Sequence, residues 1–310
     1  MTAFEDFIEL QQRVPPTTLR LGETRIARAL AAIRPVIDVP ADVPKLHRCH
    51  LATAWCARRG MPPAWSTRAL VCGGVRAALA LIFGELRGER VAIPRDVYPV
   101  YWQLAEAAGV SAIAIDTFPE LVLADARYLV LPCPFKLHGR AWTTAEFAAT
   151  RRWLAEDPTR RLILDGVYSF DATLAPDVIA LIETDQVIYL DSLSKSWLHE
   201  KVFGTAVVPV QDAARWTPVF RAAAPSQAAL FTARALLEAP VAVAAELASR
   251  RTRTLAALAA RGLTPAAPSR GYFIPIEIDA RVALERHDVL VIPFAVFGGT
   301  ARWSFASALA

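Results

Sequence analysis

Cysteine is scarce in this chain: four in 310 residues (Cys49, Cys56, Cys72 and Cys133), with no CxxC pair and no metal-ligand spacing. That excludes a disulfide framework and a zinc ribbon. Free thiols in a reducing, cytoplasmic setting are expected, and no metal site is predicted. Every long apolar run contains charges or prolines, so no membrane span is predicted. The opening MTAFEDFIELQQR is acidic and amphipathic and does not read as a signal peptide. Internal repeats and low-complexity linkers are also missing.

What remains is a globular composition, 54% hydrophobic and 21% charged. The net charge of +4 is spread over arginines in helical stretches. Solvated helix faces explain that spread better than a nucleic-acid surface does. The length suits one large α/β domain with a smaller lobe.

Residues 1–65 are rich in proline and arginine, with helix-like patches at 24–33 and 46–60. From about residue 68, short apolar segments alternate with longer amphipathic ones, which predicts a mainly parallel sheet. Predicted strands are RALVCG (68–73), VAIP (91–94), SAIAID (111–116), RYLVLP (127–132), RLILD (161–165) and QVIYLDS (186–192). Helices are expected at 74–87 and 98–109 and over TAEFAATRRWLAED, with Thr144 as its N-cap. A long helix over 227–262, broken near Pro240, leads to strand-like GYFIPIEI and ARWSFA around VLVIPFAVFG.

In such sheets ligands gather at the carboxyl ends of strands, where the polar residues of this chain lie. Asp165 ends one predicted strand and Tyr168 follows it; Ser192, Ser194 and Lys195 end the next. A carboxylate, a phenol and an amine thus face one crevice. Each alone is unremarkable, since a lysine after a strand is ordinarily a solvated end residue.

Together, LILDGVYSF and YLDSLSKSW resemble the D-x-x-Y and S-x-S-K motifs of class I/II aminotransferases, which have pyridoxal phosphate (PLP) fold type I. The resemblance implies a three-layer large domain (66–235) with a mainly parallel seven-stranded sheet, and a smaller α+β domain from 1–65 and 236–310. It implies that Lys195 holds PLP as a Schiff base, that Asp165 pairs with the pyridine nitrogen, and that Tyr168 hydrogen-bonds O3′. Other landmarks follow in family order. VCGGVRAALAL resembles the phosphate-binding turn, which places Gly74, Val75 and Arg76 at a cradle of backbone N–H groups. Ser192 and Ser194 join the cofactor contacts. Tyr98 matches the ring that stacks on the cofactor, and Arg302 in ARWSFA matches the arginine that grips a substrate carboxylate. A homodimer is implied as well.

Four departures stand out. Asp96 occupies the usual proline position two residues before Tyr98, and CPFKLHG (133–139) replaces the family's N-P-x-N-P-T-G loop. In that loop Lys136 stands for the asparagine that donates to O3′, and Leu137-His138 for Pro-Thr. Turned inward, Lys136 would be a cation near O3′; turned outward, it would leave Tyr168 alone there. Lys201 replaces the phosphate arginine, giving charge without a bidentate fork. The short N-terminal region lacks the tyrosine that reaches the neighbouring subunit, and neither His47 nor His50 is assigned in its place.

The leading expectation is transamination of an amino acid to a keto acid. Decarboxylation, elimination or replacement, cyclisation, and oxidation of an amino acid in a specialised pathway remain open, as does PLP binding without turnover.

Overall fold

The computed structural model describes residues 3–117, 121–239, 242–265, 270–299 and 302–310. The chain opens with α1 (Ala3–Arg13), β1 (Leu19–Arg20), α2 (Ile26–Ala29) and α3 (Arg48–Arg58). Then come β2 (Ala69–Cys72), α4 (Val75–Glu85), β3 (Arg90–Pro94), α5 (Val100–Ala108), β4 (Ser111–Ile115), β5 (Tyr128–Pro132) and α6 (Thr144–Ala155). The series continues through β6 (Arg161–Asp165), α7 (Pro176–Ile182), β7 (Val187–Ser192), the single turn α8 (Leu193–Ser196), β8 (Gly204–Val207) and α9 (Ala213–Ala222). The chain closes with α10 (Gln227–Glu238), α11 (Val243–Ala260), β9 (Phe273–Ile276), α12 (Ala280–His287), β10 (Val289–Leu290), β11 (Ile292–Pro293) and β12 (Ser304–Ser307).

Seven strands form one sheet in the order β2-β8-β7-β6-β5-β3-β4. Only β8 runs antiparallel to its neighbours. The central strands carry the continuous apolar runs YLVLP, LIL and VIYL because helices cover both faces. One face packs Trp55 of α3, Phe147 and Trp153 of α6, and Leu236 of α10. The other packs Leu79 and Phe83 of α4, Tyr101 of α5 and Trp216 of α9. The result is three layers, as expected.

A second core joins Phe7 of α1 and Ile26 of α2 to Leu247 and Leu258 of α11 and to the antiparallel sheet β11-β12-β9. The N-terminal region therefore contributes to both cores: α1 and α2 to the small one, α3 to the face of the large sheet.

Local signals set several boundaries. The N-cap of α6 is Thr143, not Thr144. Its hydroxyl accepts from the Glu146 backbone while the Glu146 carboxylate accepts from the Thr143 N–H, a complete capping box. Gly109 ends α5 in the left-handed region, which costs glycine nothing. The long helix of 227–262 is two helices, α10 and α11, and Pro240 lies outside the described residues. Among those residues no single helix is long and apolar enough to cross a membrane.

Candidate active site

The carboxyl ends of β2, β3, β5, β6 and β7 lie along one edge of the sheet. Gly204, at the start of antiparallel β8, pairs with Cys72 on one side and Ser192 on the other. This register brings the turn after β2 beside the turn after β7. A Cβ on Gly204 would stand 2.6 Å from the Gly74 Cα, so only glycine permits the approach. Gly74 itself has φ +121°, with open space where a side chain would lie, and gives α4 no side-chain cap. An uncapped N-terminus on this eleven-residue helix, with open space beside Gly74, suits an anion. Val75 is buried and Arg76 exposed. Lys201 is exposed, has φ +62°, and its carbonyl borders Gly73.

Ser192 caps the short α8, accepting from the Ser194 N–H at 3.3 Å, and the two hydroxyls lie 2.7 Å apart. Lys195 follows on that turn. Its side chain is 22% exposed, and Nζ donates to Glu200 at 3.4 Å.

Asp165 ends β6 with its carboxylate buried. It accepts hydrogen bonds from the Tyr101 hydroxyl and from the Val167 N–H, the latter at 2.9 Å. Burial pushes its carboxyl upward, against those bonds and the positive charges of Lys136 and Lys195. Burial and Asp165 together raise the Tyr101 hydroxyl well above its ordinary value, so it stays a donor. Tyr101 was invisible as a site residue in the sequence, although the spacing of one helical turn from Tyr98 was available.

Lys136 points inward. Its ammonium lies 4.6 Å from the ring centre of Tyr168, 4.9 Å from Phe273, 5.2 Å from Tyr98 and 5.9 Å from Tyr272. Burial and then the charge of Lys195 push this amine down to about 7, while Asp165 opposes them. The sign of the linked stability follows. Between pH 7 and 10 the folded chain has released this proton while the unfolded chain still holds it. Stability is therefore expected to rise with pH across that window, by up to about 1.4 kcal/mol per pH unit. Thermal melts of wild type and Lys136→Met check this: the difference between their slopes is the contribution of Lys136.

Two departures in the sequence meet in space. Asp96 and His138, both buried, pair at 2.7 Å, and the Thr117 hydroxyl donates to both Asp96 oxygens at 2.6 and 2.7 Å. This ties the loop before α5, which carries Tyr98, to the loop that carries Lys136.

The structure thus gathers Asp165, Tyr168, Lys136, Lys195 and Tyr98, with Gly74 and Ser192 beside them. Tyr98 is 46% exposed. It does not bring Arg302 to the group: that side chain is 74% exposed, and its Nε donates to Glu277 at 2.6 Å. His47 and His50 are exposed and pack edge to face on each other at the start of α3. All four cysteines are free. Among the described residues no cluster of three or more metal-ligating side chains occurs.

No family model and no curated protein matches this sequence. Solved structures do match by shape. An aspartate aminotransferase from Thermotoga maritima superposes with a TM-score of 0.74 at 15% identity, covering 99% of this chain and 91% of its own. An aromatic aminotransferase from Pyrococcus horikoshii gives 0.71 at 19% identity, covering 99% and 94%. An Escherichia coli protein described with a methionine aminotransferase function gives 0.75 at 18%, covering 99% and 93%. The chain has the fold of these aminotransferases, PLP fold type I.

Proposed function

We propose that the chain is a PLP-dependent aminotransferase acting on an amino acid, with Lys195 as the covalent holder of the cofactor. The observation that carries this reading is the convergence at one sheet edge of a buried carboxylate, Asp165, an amine, Lys195, and an uncapped helix N-terminus opened by Gly74. These residues suit the group: the α4 N-terminus, with Ser192 and Ser194, for a phosphate, Asp165 for a protonated ring nitrogen, and Tyr168 for a phenolic oxygen. When bound, the cofactor supplies the electron sink that stabilises negative charge at the substrate carbon. Lys195 is then the amine that moves the proton, and burial of Asp165 shields its charge from water. Tyr98 covers the site from the solvent side, and Lys201 adds positive charge near the phosphate. Arg302 serves the substrate carboxylate only by leaving Glu277. A two-fold homodimer in a reducing compartment fits the motif resemblance and the free thiols.

A second reading is favoured by one observation. Lys136 stands inside the site where the resemblance expects asparagine, which suits another reaction of the same cofactor on an amino acid: decarboxylation, elimination, cyclisation or oxidation.

The purified protein is expected to bind PLP with a visible absorption band. Borohydride should fix the cofactor to the peptide containing Lys195, and Lys195→Ala should abolish both signals. Absence of the band from wild type overturns the reading. With a panel of amino acids, keto-acid release supports transamination; release of carbon dioxide, ammonia without keto acid, or peroxide supports the second reading.

A further inference from the structure

Lys136 is the charged side chain in the site with no role in the reading above. Its direction is imposed by its neighbours. Phe135 is buried and stacks on His138 at 5.0 Å and on Trp142 at 5.4 Å. Leu137 is buried in the small core. His138 is held by Asp96, and the Gly139 carbonyl accepts from the Arg270 N–H at 2.8 Å. With both flanking side chains committed elsewhere, Lys136 extends into the box of Tyr98, Tyr168, Tyr272 and Phe273.

We propose that Lys136 is a second working amine of the site, a proton carrier held in place by Asp96 and His138. The inference rests on the PLP reading, under which Lys195 holds the cofactor and Lys136 is an amine that forms no bond to it. An asparagine at this position donates a hydrogen bond and exchanges no proton. A lysine with a neutral form can accept one: its N–H bond forms as an O–H or C–H bond of the bound small molecule breaks, and the electron pair stays on the donor atom. Protonated Lys136 then returns that proton, so no further reactant is needed.

The surroundings support both protonation states. Lys195 on α8 and burial favour the neutral amine; Asp165 on β6 and the four ring faces favour the cation. The other titratable groups around the box are the Tyr98, Tyr168 and Tyr272 phenols, Tyr101 beside Tyr168, Glu23 near Tyr272, and Glu200, which is also drawn toward Lys195. An amine pushed to about 7 holds both forms in quantity at neutral pH, the condition in which a proton carrier is most effective. Asp96 and His138 are positioning residues that act through the loop they tie down.

The test begins on protein without added cofactor. Competitive acetylation with isotopic acetic anhydride from pH 5.5 to 10, read by peptide mass spectrometry, follows Lys136 against exposed Lys45 and Lys201. A Lys136 midpoint near pH 7 is expected, with Asp96→Asn and His138→Gln moving it toward the two reference lysines. A Lys136 midpoint coinciding with theirs in the wild type overturns the proposal. On the loaded protein, Lys136→Arg keeps the charge and loses the neutral form. It is expected to retain the visible band at Lys195 and to lower kcat by about 10²-fold or more, with KM nearly unchanged. An unchanged kcat overturns the proposal. Failure of the PLP reading shows separately, as the absence of the band in wild type, and leaves the labelling midpoint readable.

Discussion

Asp165→Asn is expected to lower turnover by about 10³-fold while leaving thermal stability unchanged or slightly higher. The two effects separate because the carboxylate is a cost to the fold. Asp165 is buried at the end of β6, and burial pushes its carboxyl upward. A group raised in the folded state favours its protonated form, so the stability it contributes is lost as pH rises through its folded value. At neutral pH the ionised form is therefore carried at a loss. Asparagine keeps the shape and removes the charge. Its amide oxygen still accepts from the Val167 N–H, and its NH₂ can donate to the Tyr101 hydroxyl, which now accepts. What disappears is the negative charge that, under the proposed function, keeps a ring nitrogen protonated. The cofactor should still attach at Lys195, because that lysine approaches from the adjacent strand end. Steady-state kinetics, the visible spectrum and a thermal melt on one preparation decide the matter. A Tm lowered by several degrees with turnover nearly unchanged would show that Asp165 serves folding, and would remove it from the chemistry.

The parts of this molecule readable from sequence were those whose signals are local. Continuous apolar runs such as LIL and VIYL announce strands buried on both faces, and the polar residues that follow them announce the site edge. The expected cap at Thr144 is one residue late, because the reciprocal bond with Glu146 places it at Thr143. The site partners that went unseen depend on distant segments meeting. Tyr101 reaches Asp165 across 64 positions, and Asp96 reaches His138 across 42. Each of these residues reads alone as ordinary packing or surface. Lys136 was left open because one lysine in a loop carries no directional signal. Its direction comes from Phe135 and Leu137 entering two different cores. Arg302 shows the converse. Its motif is intact, yet Glu277 on the neighbouring antiparallel strand end competes for its guanidinium.

Arg59→Met is expected to destabilise the protein by about 3–5 kcal/mol, the cost of stranding a buried charge. Arg59 closes α3 and is 1% exposed. Its Nε donates to Asp191 at 3.0 Å, and its two Nη atoms donate to the carbonyls of Asp171, Ala172 and Ser169. One side chain thus ties the N-terminal region to the end of β7, just before Ser192, and to the loop that follows Tyr168. Methionine fills the volume but supplies no donor. Asp191 keeps its bonds from the Ser192 N–H and the Tyr189 hydroxyl, and loses its counter-charge. Burial already pushes Asp191 up to about 6 with Arg59 present, so removing the guanidinium drives it higher. The variant can then relieve the stranded charge by taking up a proton. Its deficit relative to wild type should therefore narrow as pH falls from 7 toward 5, whereas lost packing alone would give a constant deficit. Asp191→Asn added to Arg59→Met should recover part of the loss by the same route. Urea unfolding of wild type and the two variants at pH 5 and 7 measures these differences. A deficit below about 1 kcal/mol at pH 7 would mean that water reaches the carboxylate and that Arg59 is dispensable to the strand end.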